Sequence, residues 1–310
     1  MKRSLFDLHC DTPYEMLRQS QPLGKNTLAV SLQKSECFER YVQVMAFWCE
    51  KTLSDEQGWI LFEKAYQNLV DDPAFLEDRA KIVTHYPQNQ EHRAAFLLAV
   101  EDLRIIANDV LRVDLLAQKG IRIVTPLWAN DSCIGGAHNT ENGLTELGKK
   151  ALKRALRLGM LLDVSHASRR SADEILELCY EESRPVLATH SNAYALCPIT
   201  RNLKNEQIER IVRMDGLIGL NLYKNFIDHK KEATLDGLCA HVEHFLSLGA
   251  CDHLSLGTDF DGCETLSEIP DLSALNKLAE RLLGLNYPEE LVHKIFFANA
   301  DSFANKYLSL

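Results

Sequence analysis

The sequence predicts an α/β fold, a single (β/α)8 TIM-type barrel spanning residues 1–310. Three observations predict it. Eight short apolar runs occur along the chain, mostly separated by stretches of helical period. Most of the runs are continuously apolar rather than alternating, as parallel strands buried on both faces are. Histidines and carboxylates follow the ends of these runs, where barrels gather their reactive groups. With 310 residues, 46% hydrophobic and 25% charged, the chain has ample material for one such core. No compositional break, solenoid-period repeat or low-complexity tract divides it. An open doubly wound sheet is the structural rival. It usually has fewer strands and often a Gly-rich first turn, and G-x-G-x-x-G does not occur.

The first run, 5–8, leads into His9-Cys10-Asp11, and Pro13 stops the strand. Strand side chains alternate, so His9 and Asp11 share a face and Cys10 turns away. Imidazole and carboxylate at a strand end suit a divalent metal such as zinc; a plain hydrogen-bonded pair is the commoner reason for the pattern. Run 42–47 follows, then a helix over 58–70, then run 94–100 ending in Glu101-Asp102. A helix over 109–119 stops at Gly120, and run 121–127 ends at Trp128. The loop 129–143 holds Gly135-Gly136 and His138. Thr145 caps a helix to about 158, which stops at Gly159. Run 160–164 ends in Ser165-His166, and Ser171 with Glu174 forms a capping box for a helix to about 181. Run 185–189 ends in His190-Ser191; Asn205 caps a helix to about 214; run 217–222 ends in Tyr223. A helix over 234–248 precedes run 254–257, which ends in Thr258-Asp259. Helices over about 272–283 and 288–307 close the chain.

A barrel brings His9, Asp11, Glu101, His166, His190 and Asp259 to one face. Three histidines and three carboxylates converging point to a metal centre rather than to six separately satisfied polar groups. Taken singly, Glu101 fits a carboxylate favoured at a helix N-terminus, and His166 a strand-end cap. Asp261 reads as a turn residue before Gly262. His241 and His244 share a helix face but lie mid-helix, so they are expected in solvent, as are His85, His92, His229, His253 and His293.

Composition excludes several classes. The net charge is -10 with no basic patch, which argues against nucleic acid as a partner. The apolar run behind Met1-Lys2-Arg3 is too short for a signal peptide, and no run approaches the roughly 18 residues of a membrane span. Residues 305–310 carry no lipid-anchor signal. Nine cysteines, an odd number with no Cys-x-x-Cys, fit reduced thiols in a cytoplasmic protein without membrane attachment. There is no Gly-x-Ser-x-Gly elbow and no Walker loop. A homodimer is left open.

Taken in order, the motifs resemble a known family. They are Asp7-Leu8-His9-Cys10-Asp11-Thr12-Pro13, Val100-Glu101-Asp102, Gly143-Leu144-Thr145 and Gly159-Met160-Leu161-Leu162-Asp163-Val164-Ser165-His166. Thr189-His190-Ser191-Asn192-Ala193, Arg201-Asn202 and Gly257-Thr258-Asp259-Phe260-Asp261-Gly262 continue the series. Over nearly its whole length the chain resembles the membrane (renal) dipeptidase family of zinc metallopeptidases, among the amidohydrolase-like barrels. The resemblance implies two zinc ions per chain, one held by His9 and Asp11, the other by His166 and His190, with Glu101 bridging. It implies that Arg201 binds the terminal carboxylate of a small dipeptide, for which a guanidinium fork is well shaped. Asp259 would handle protons, and Tyr223 would contact substrate through its backbone.

Two departures stand out. Many members have a histidine after the fourth strand that helps hold the reacting carbonyl; here Thr125-Pro126-Leu127-Trp128 places Trp128 there. Tryptophan offers one N–H and does not ionise, so Trp128 is expected as pocket wall. His138 either fills the polarising role or is a plain surface loop residue. Secreted, lipid-anchored members carry signals absent here, so the resemblance is to soluble, bacterial-type members. The expected reaction is dipeptide hydrolysis, L-Xaa-D-Xaa included, by a water activated between the zincs, with Asp259 moving the proton. The rivals are a metal-dependent amidohydrolase acting on N-acyl (D-)amino acids or lactones, and a non-enzymatic metal-binding scaffold barrel.

Overall fold

The computed structural model describes residues 2–86, 92–230 and 232–309; Met1 and Leu310, the ends of the two terminal stretches considered above, lie outside the described residues. The strands are β1 Leu5–Cys10, β2 Tyr41–Phe47, β3 Lys81–Ile82, β4 Ala94–Glu101, β5 Ile121–Thr125, β6 Leu161–Asp163, β7 Val186–Ala188, β8 Leu217–Leu220 and β9 Leu254–Leu256. All pairings between them are parallel. β2 pairs with both β1 and β4, which closes a ring of eight in the order β1-β2-β4-β5-β6-β7-β8-β9. This is the (β/α)8 barrel that the apolar runs predict.

One strand was not expected. Lys81–Ile82 pairs with Ala95 and Phe96 on the edge of β4 that β5 takes up only from Leu98 onward. Two half-buried residues are too short to show a period. β5 ends at Thr125 rather than 127, because Pro126 has no N–H to continue the ladder. A further helix, Thr12–Gln19, begins directly after β1 with Pro13 in its first turn, where a missing N–H costs nothing.

Two of the three expected helix caps differ in the structure. Thr145 caps its helix as expected, accepting from the Gly148 amide. The next helix starts at Arg169 and is capped by Ser168, not Ser171. Ser171 instead donates to the Gly136 carbonyl at 2.8 Å, and Glu174 accepts from the Leu144 amide at 2.6 Å. Both partners of the apparent capping box therefore tether the loop that carries His138. Asn205 is already the first helical residue, and its side chain faces His244 at 2.9 Å. The helix expected over 288–307 contains one wide π turn, Lys294–Ala298, which lets Phe296 enter the outer core and Phe297 the inner one.

Those two cores explain the continuous apolar runs. Phe6 and Leu8, Val42, Val44 and Ala46, and Ala95, Leu97 and Ala99 fill the barrel interior with Ile123, Leu161, Leu187 and Leu217. The intervening Leu5, Tyr41, Met45, Phe47, Phe96, Leu98 and Val100 pack outward with the helices. The terminal helix seals the amino-terminal end, setting Phe297, Ala300, Ala304 and Leu308 against the inner cluster. All nine cysteines are unpaired. No helix among the described residues is long and apolar enough to cross a membrane.

At the other end β1 breaks step. Asp7 pairs with Gln43 and Cys10 with Met45, so three residues of β1 advance against two of β2. Strict alternation from Phe6 and Leu8 would turn Cys10 inward. The bulge reverses the phase, and Cys10 packs outward with its sulfur 3.4 Å from that of Met45. His9 is thereby aimed into the barrel mouth.

Gly219 and Gly257 make a second local requirement. A Cβ on either would overlap the Thr189 carbonyl oxygen, the residue before His190. Gly257→Ala should therefore cost about 3 kcal/mol of unfolding free energy in urea, at the upper end for an overpacked core. Gly284→Ala, where a Cβ meets nothing within 4 Å, should be neutral or stabilising. Equal midpoints for the two variants would show that the barrel yields at Thr189.

Candidate metal centre

The carboxyl-terminal ends of the strands bring the six expected residues together. Glu101 closes β4, and strict alternation after Ala95, Leu97 and Ala99 turns it inward. Its Oε1 lies 3.0 Å from His166 Nε2 and 3.4 Å from His190 Nε2, and its Oε2 lies 3.6 Å from His9 Nε2. Asp11 Oδ2 is 3.7 Å from His9 Nε2. Two groups have ligand atoms within 4.8 Å of one another: His9, Glu101 and His190, and His9, Asp11 and Asp259. Thus the two oxygens of one carboxylate face different histidines. Glu101 is buried inside the mouth, not set at a helix N-terminus.

The protons of His166 and His190 are fixed by their outer partners. His166 Nδ1 lies 3.0 Å from the Trp128 carbonyl, which can only accept, so Nδ1 carries the proton. Thr189 Oγ1 donates to Asp163 and accordingly accepts from His190 Nδ1 at 2.8 Å. Asp163 also accepts from the Thr125 hydroxyl and from the Ser165 and Thr189 amides. Both Nε2 atoms therefore present lone pairs, and they lie 2.9 Å apart. Two lone pairs at that separation repel unless a cation lies against them. His9 Nδ1 and Nε2, Asp11 Oδ1 and Glu101 Oε1 are buried without a hydrogen-bond partner. Orphaned buried donor and acceptor atoms of this kind cost free energy that coordination recovers. The residues fit a divalent metal of the zinc type, for which imidazole and carboxylate are ordinary ligands.

The electrostatics agree. Burial and the Glu101 charge push Asp11 up to about 8. Burial raises Asp259, against the pull of His9. Burial would raise Glu101 as well, but His9 and His166 bring it well below the carboxylate range. Burial opposes protonation of His9, yet Glu101 and Asp11 lift it well above the ordinary value. Burial lowers His166 and His190. Both His166 (φ 65°) and Asp259 (φ 62°) hold the left-handed backbone that non-glycine residues rarely adopt.

Around this centre opens a cavity of about 1130 Å³, with Asp11, Glu101, His166 and Asp259 at its base. Trp128 and His138 line its wall, as does Tyr223. His138 is no plain surface residue: its amide donates to the His166 carbonyl at 2.7 Å, and its ring lies 5.9 Å from that of His166. Burial, with the nearby His166 and Arg201, pushes it down to about 3. Trp128 contributes its carbonyl to His166 as well as an indole wall, and the sequence signalled only the wall. The Tyr223 backbone is already engaged, with one lone pair of its carbonyl left over. Its amide donates to Asn221 Oδ1 at 2.6 Å and its carbonyl accepts from Phe226, leaving the ring to face the cavity.

Arg201 lies behind the wall. It is buried, with Nη1 donating to Ser191 Oγ at 2.9 Å and Nη2 to the His190 carbonyl at 2.8 Å. Its guanidinium sits 5.3 Å from the Phe226 ring centre. Nε has no partner, and no carboxylate of the described residues lies within 4 Å of it. Asn221, unremarked in its apolar run, donates to Asp259 Oδ2 at 3.0 Å. Asp261 holds a turn, accepting from the Thr12 hydroxyl at 2.6 Å and the Ala29 amide at 2.7 Å. His241 is buried, not solvated: Nδ1 accepts from the Ala193 amide and Nε2 faces the Ile227 carbonyl, each at 3.1 Å. It pins together the loops after β7 and β8. His244 is likewise engaged, with Asn205.

Comparison with known proteins places this geometry in context. The family described as membrane dipeptidase, peptidase family M19, matches residues 1–301. An uncharacterised protein of Klebsiella pneumoniae is 30% identical over 192 residues, 58% of this chain and 70% of its own. An uncharacterised dipeptidase of Schizosaccharomyces pombe is 29% identical over 217 residues, 63% of this chain and 51% of its own. A metallopeptidase from Rhodobacter sphaeroides, solved with a phosphinate mimic of the dipeptide L-Ala-D-Ala, superposes with a TM-score of 0.90. The likeness covers 99% of this chain and 100% of that one; at 22% identity it is one of fold.

Two outcomes follow from the geometry. Glu101→Gln should weaken metal binding by about tenfold or more, because one carboxylate faces all three histidines. Metal analysis that finds full affinity in that variant would take Glu101 out of the centre. The second concerns pH. Folded His138 stays neutral down to about 3, whereas the unfolded chain takes a proton near 6.5. Over that interval the unfolded state binds more protons, so the stability present above about pH 6.5 is lost as pH falls. In metal-free protein, His138→Gln should shrink the drop in unfolding free energy between about pH 7.5 and about pH 5 by about 2 kcal/mol. An unchanged drop would mean that the ring titrates as if in water.

Proposed function

The chain is a hydrolase of the membrane dipeptidase family, peptidase family M19, and on that premise we propose that it cleaves dipeptides, L-Xaa-D-Xaa among them, with two zinc ions. His9 and Asp11 would hold one ion, His166 and His190 the other, and Glu101 would serve both. The observation that carries this reading is the division of Glu101 between its neighbours, Oε1 toward His166 and His190 and Oε2 toward His9. When bound, such a pair supplies a Lewis acid for the scissile carbonyl and makes water a nucleophile near neutral pH.

The remaining roles belong to side chains. Asp259 Oδ2 is held by Asn221 at the cavity base, and its raised pKa suits a group that takes a proton from water and returns it to the leaving amine. Arg201 is a buried guanidinium with an unpartnered Nε–H and, among the described residues, no ion pair, a situation that a substrate carboxylate would relieve. A carboxylate drawn to that side fixes the orientation of the peptide bond and limits the length of the chain beyond it. Neutral His138, beside His166, can donate to the oxygen that gains charge.

The test is release of amino acids from L-Ala-D-Ala, L-Ala-L-Ala, their C-terminal amides and a tripeptide, with and without chelator. Free dipeptides should be cleaved, and amides and tripeptides poorly. Chelator should abolish the activity. Arg201→Met should lower kcat/KM by about tenfold or more, as loss of a charged hydrogen bond does. Cleavage that resists chelator, or amides and tripeptides cut as fast as free dipeptides, would defeat the reading. Faster turnover of N-acyl amino acids or lactones would favour the broader amidohydrolase chemistry.

A further inference from the structure

The barrel sets two different surfaces on opposite sides of its mouth. Arg201 and Phe226 follow β7 and β8, whereas Tyr14, Trp48 and Trp128 follow β1, β2 and β5. In the ring order, β2 stands four places from β7 in either direction. If Arg201 holds the carboxylate end, the amino-terminal residue of a dipeptide reaches across to the other arc. The inference below rests on that dipeptidase reading.

On that arc three aromatic rings form a continuous wall leading away from the metal centre. Trp128 lies 6.3 Å from the His166 ring, Trp48 lies 5.1 Å from Trp128, and Tyr14 lies 5.0 Å from Trp48. Successive aromatic pairs meet edge to face, at 66° and 87°. All three residues line the cavity, and so does Glu50, whose carboxylate accepts from the Tyr14 hydroxyl at the outer end of the wall. The Glu50 backbone is fixed from below, its carbonyl accepting from Arg104 Nη2 at 2.7 Å. Arg104 is itself locked to Asp102 at 2.8 Å.

Charge decides what the wall suits. The other outer carboxylates of the cavity are engaged: Glu15 with Arg18, Asp261 with Thr12 and Ala29, and Glu264 with Lys224. Glu50 accepts from the Tyr14 and Thr52 hydroxyls, like Asp261 without a cation, and makes no ion pair within 4 Å among the described residues. Ring faces attract cations, and the attraction strengthens where water is partly excluded. Long methylene stems of lysine and arginine also pack well on aromatic surface while their heads reach a polar group. A cavity of about 1130 Å³ leaves ample room for such a side chain beside the peptide.

We propose that Trp128, Trp48, Tyr14 and Glu50 form a subsite for a basic side chain on the amino-terminal residue of the substrate. The stem lies along the two indoles, and the cation rests between the ring faces and Glu50. An acidic side chain would meet Glu50 directly, and an aliphatic one would use the rings alone.

The experiment compares kcat/KM for Lys-Ala, Arg-Ala, Leu-Ala and Glu-Ala in the metal-loaded wild type, Glu50→Gln and Glu50→Lys. Lys-Ala and Arg-Ala should exceed Leu-Ala by about tenfold, the scale of one cation–aromatic contact with an added charge pair. Glu50→Gln should cut the Lys-Ala to Leu-Ala ratio by about fivefold, and Glu50→Lys should raise Glu-Ala above Lys-Ala. Added salt should narrow the wild-type ratio. Dipeptides cleaved with Leu-Ala equal to or better than Lys-Ala, and a ratio that Glu50→Gln leaves alone, would overturn the subsite and leave the dipeptidase reading standing. Cleavage of none of the four would overturn both.

Discussion

Between Asp7 and Cys10 the first strand carries one residue more than its neighbour, and that residue decides which side chains look inward. Without it, alternation from Phe6 and Leu8 would send Cys10 into the mouth and turn His9 toward the helices. With it, His9 reaches Glu101, and Glu101 in turn meets His166 and His190. The bulge and the regular alternation of β4 have to agree for one carboxylate to face three histidines. A shift of either by one residue would exchange a polar face for an apolar one.

Burying so many ionisable groups is unfavourable unless their remaining hydrogen bonds are met. The barrel meets them from behind. Asp163 gathers the Thr125 and Thr189 hydroxyls and two amides, and through Thr189 it sets the proton on His190. Asp7 does similar work one strand from β9, accepting the Thr258 amide and hydroxyl. Asn221 steadies Asp259, and the Trp128 carbonyl steadies His166. These partners leave free His9 Nε2, Asp11 Oδ1 and Glu101 Oε1 among the atoms at the mouth. That selective shortage is what distinguishes a prepared site from an unfavourable cluster.

Much of this was legible in the sequence because the barrel translates a one-dimensional rule into a place. A polar residue just after an apolar run arrives at the mouth, and His9, Asp11, Glu101, His166, His190 and Asp259 all obey that rule. Trp48 obeys it too, directly after β2, and passed unnoticed because an aromatic residue does not interrupt an apolar run. Asn221 and Asp163 are hidden within apolar runs, where a single polar residue does not break the strand pattern. His241 had a visible signal: Leu238, Val242 and Phe245 mark the inward stripe of its helix, and His241 falls within it. The bulge itself had none. Local alternation correctly set His9 and Asp11 apart from Cys10, but which of the two faces looked inward depended on pairing with β2.

The closed amino-terminal end has a consequence for traffic. Phe6 and Leu8 fill the interior, and the terminal helix lays Phe297 and Ala300 beneath them, so among the described residues the amino-terminal end is filled and the cavity lies at the mouth. Whatever is split at the base leaves two fragments in a blind-ended chamber. On the proposed orientation, the fragment retained beside buried Arg201 is the amino acid bearing the original carboxylate. Its concentration in the surroundings would then set how often the chamber is ready for the next molecule, and an enzyme built this way would be throttled by that product.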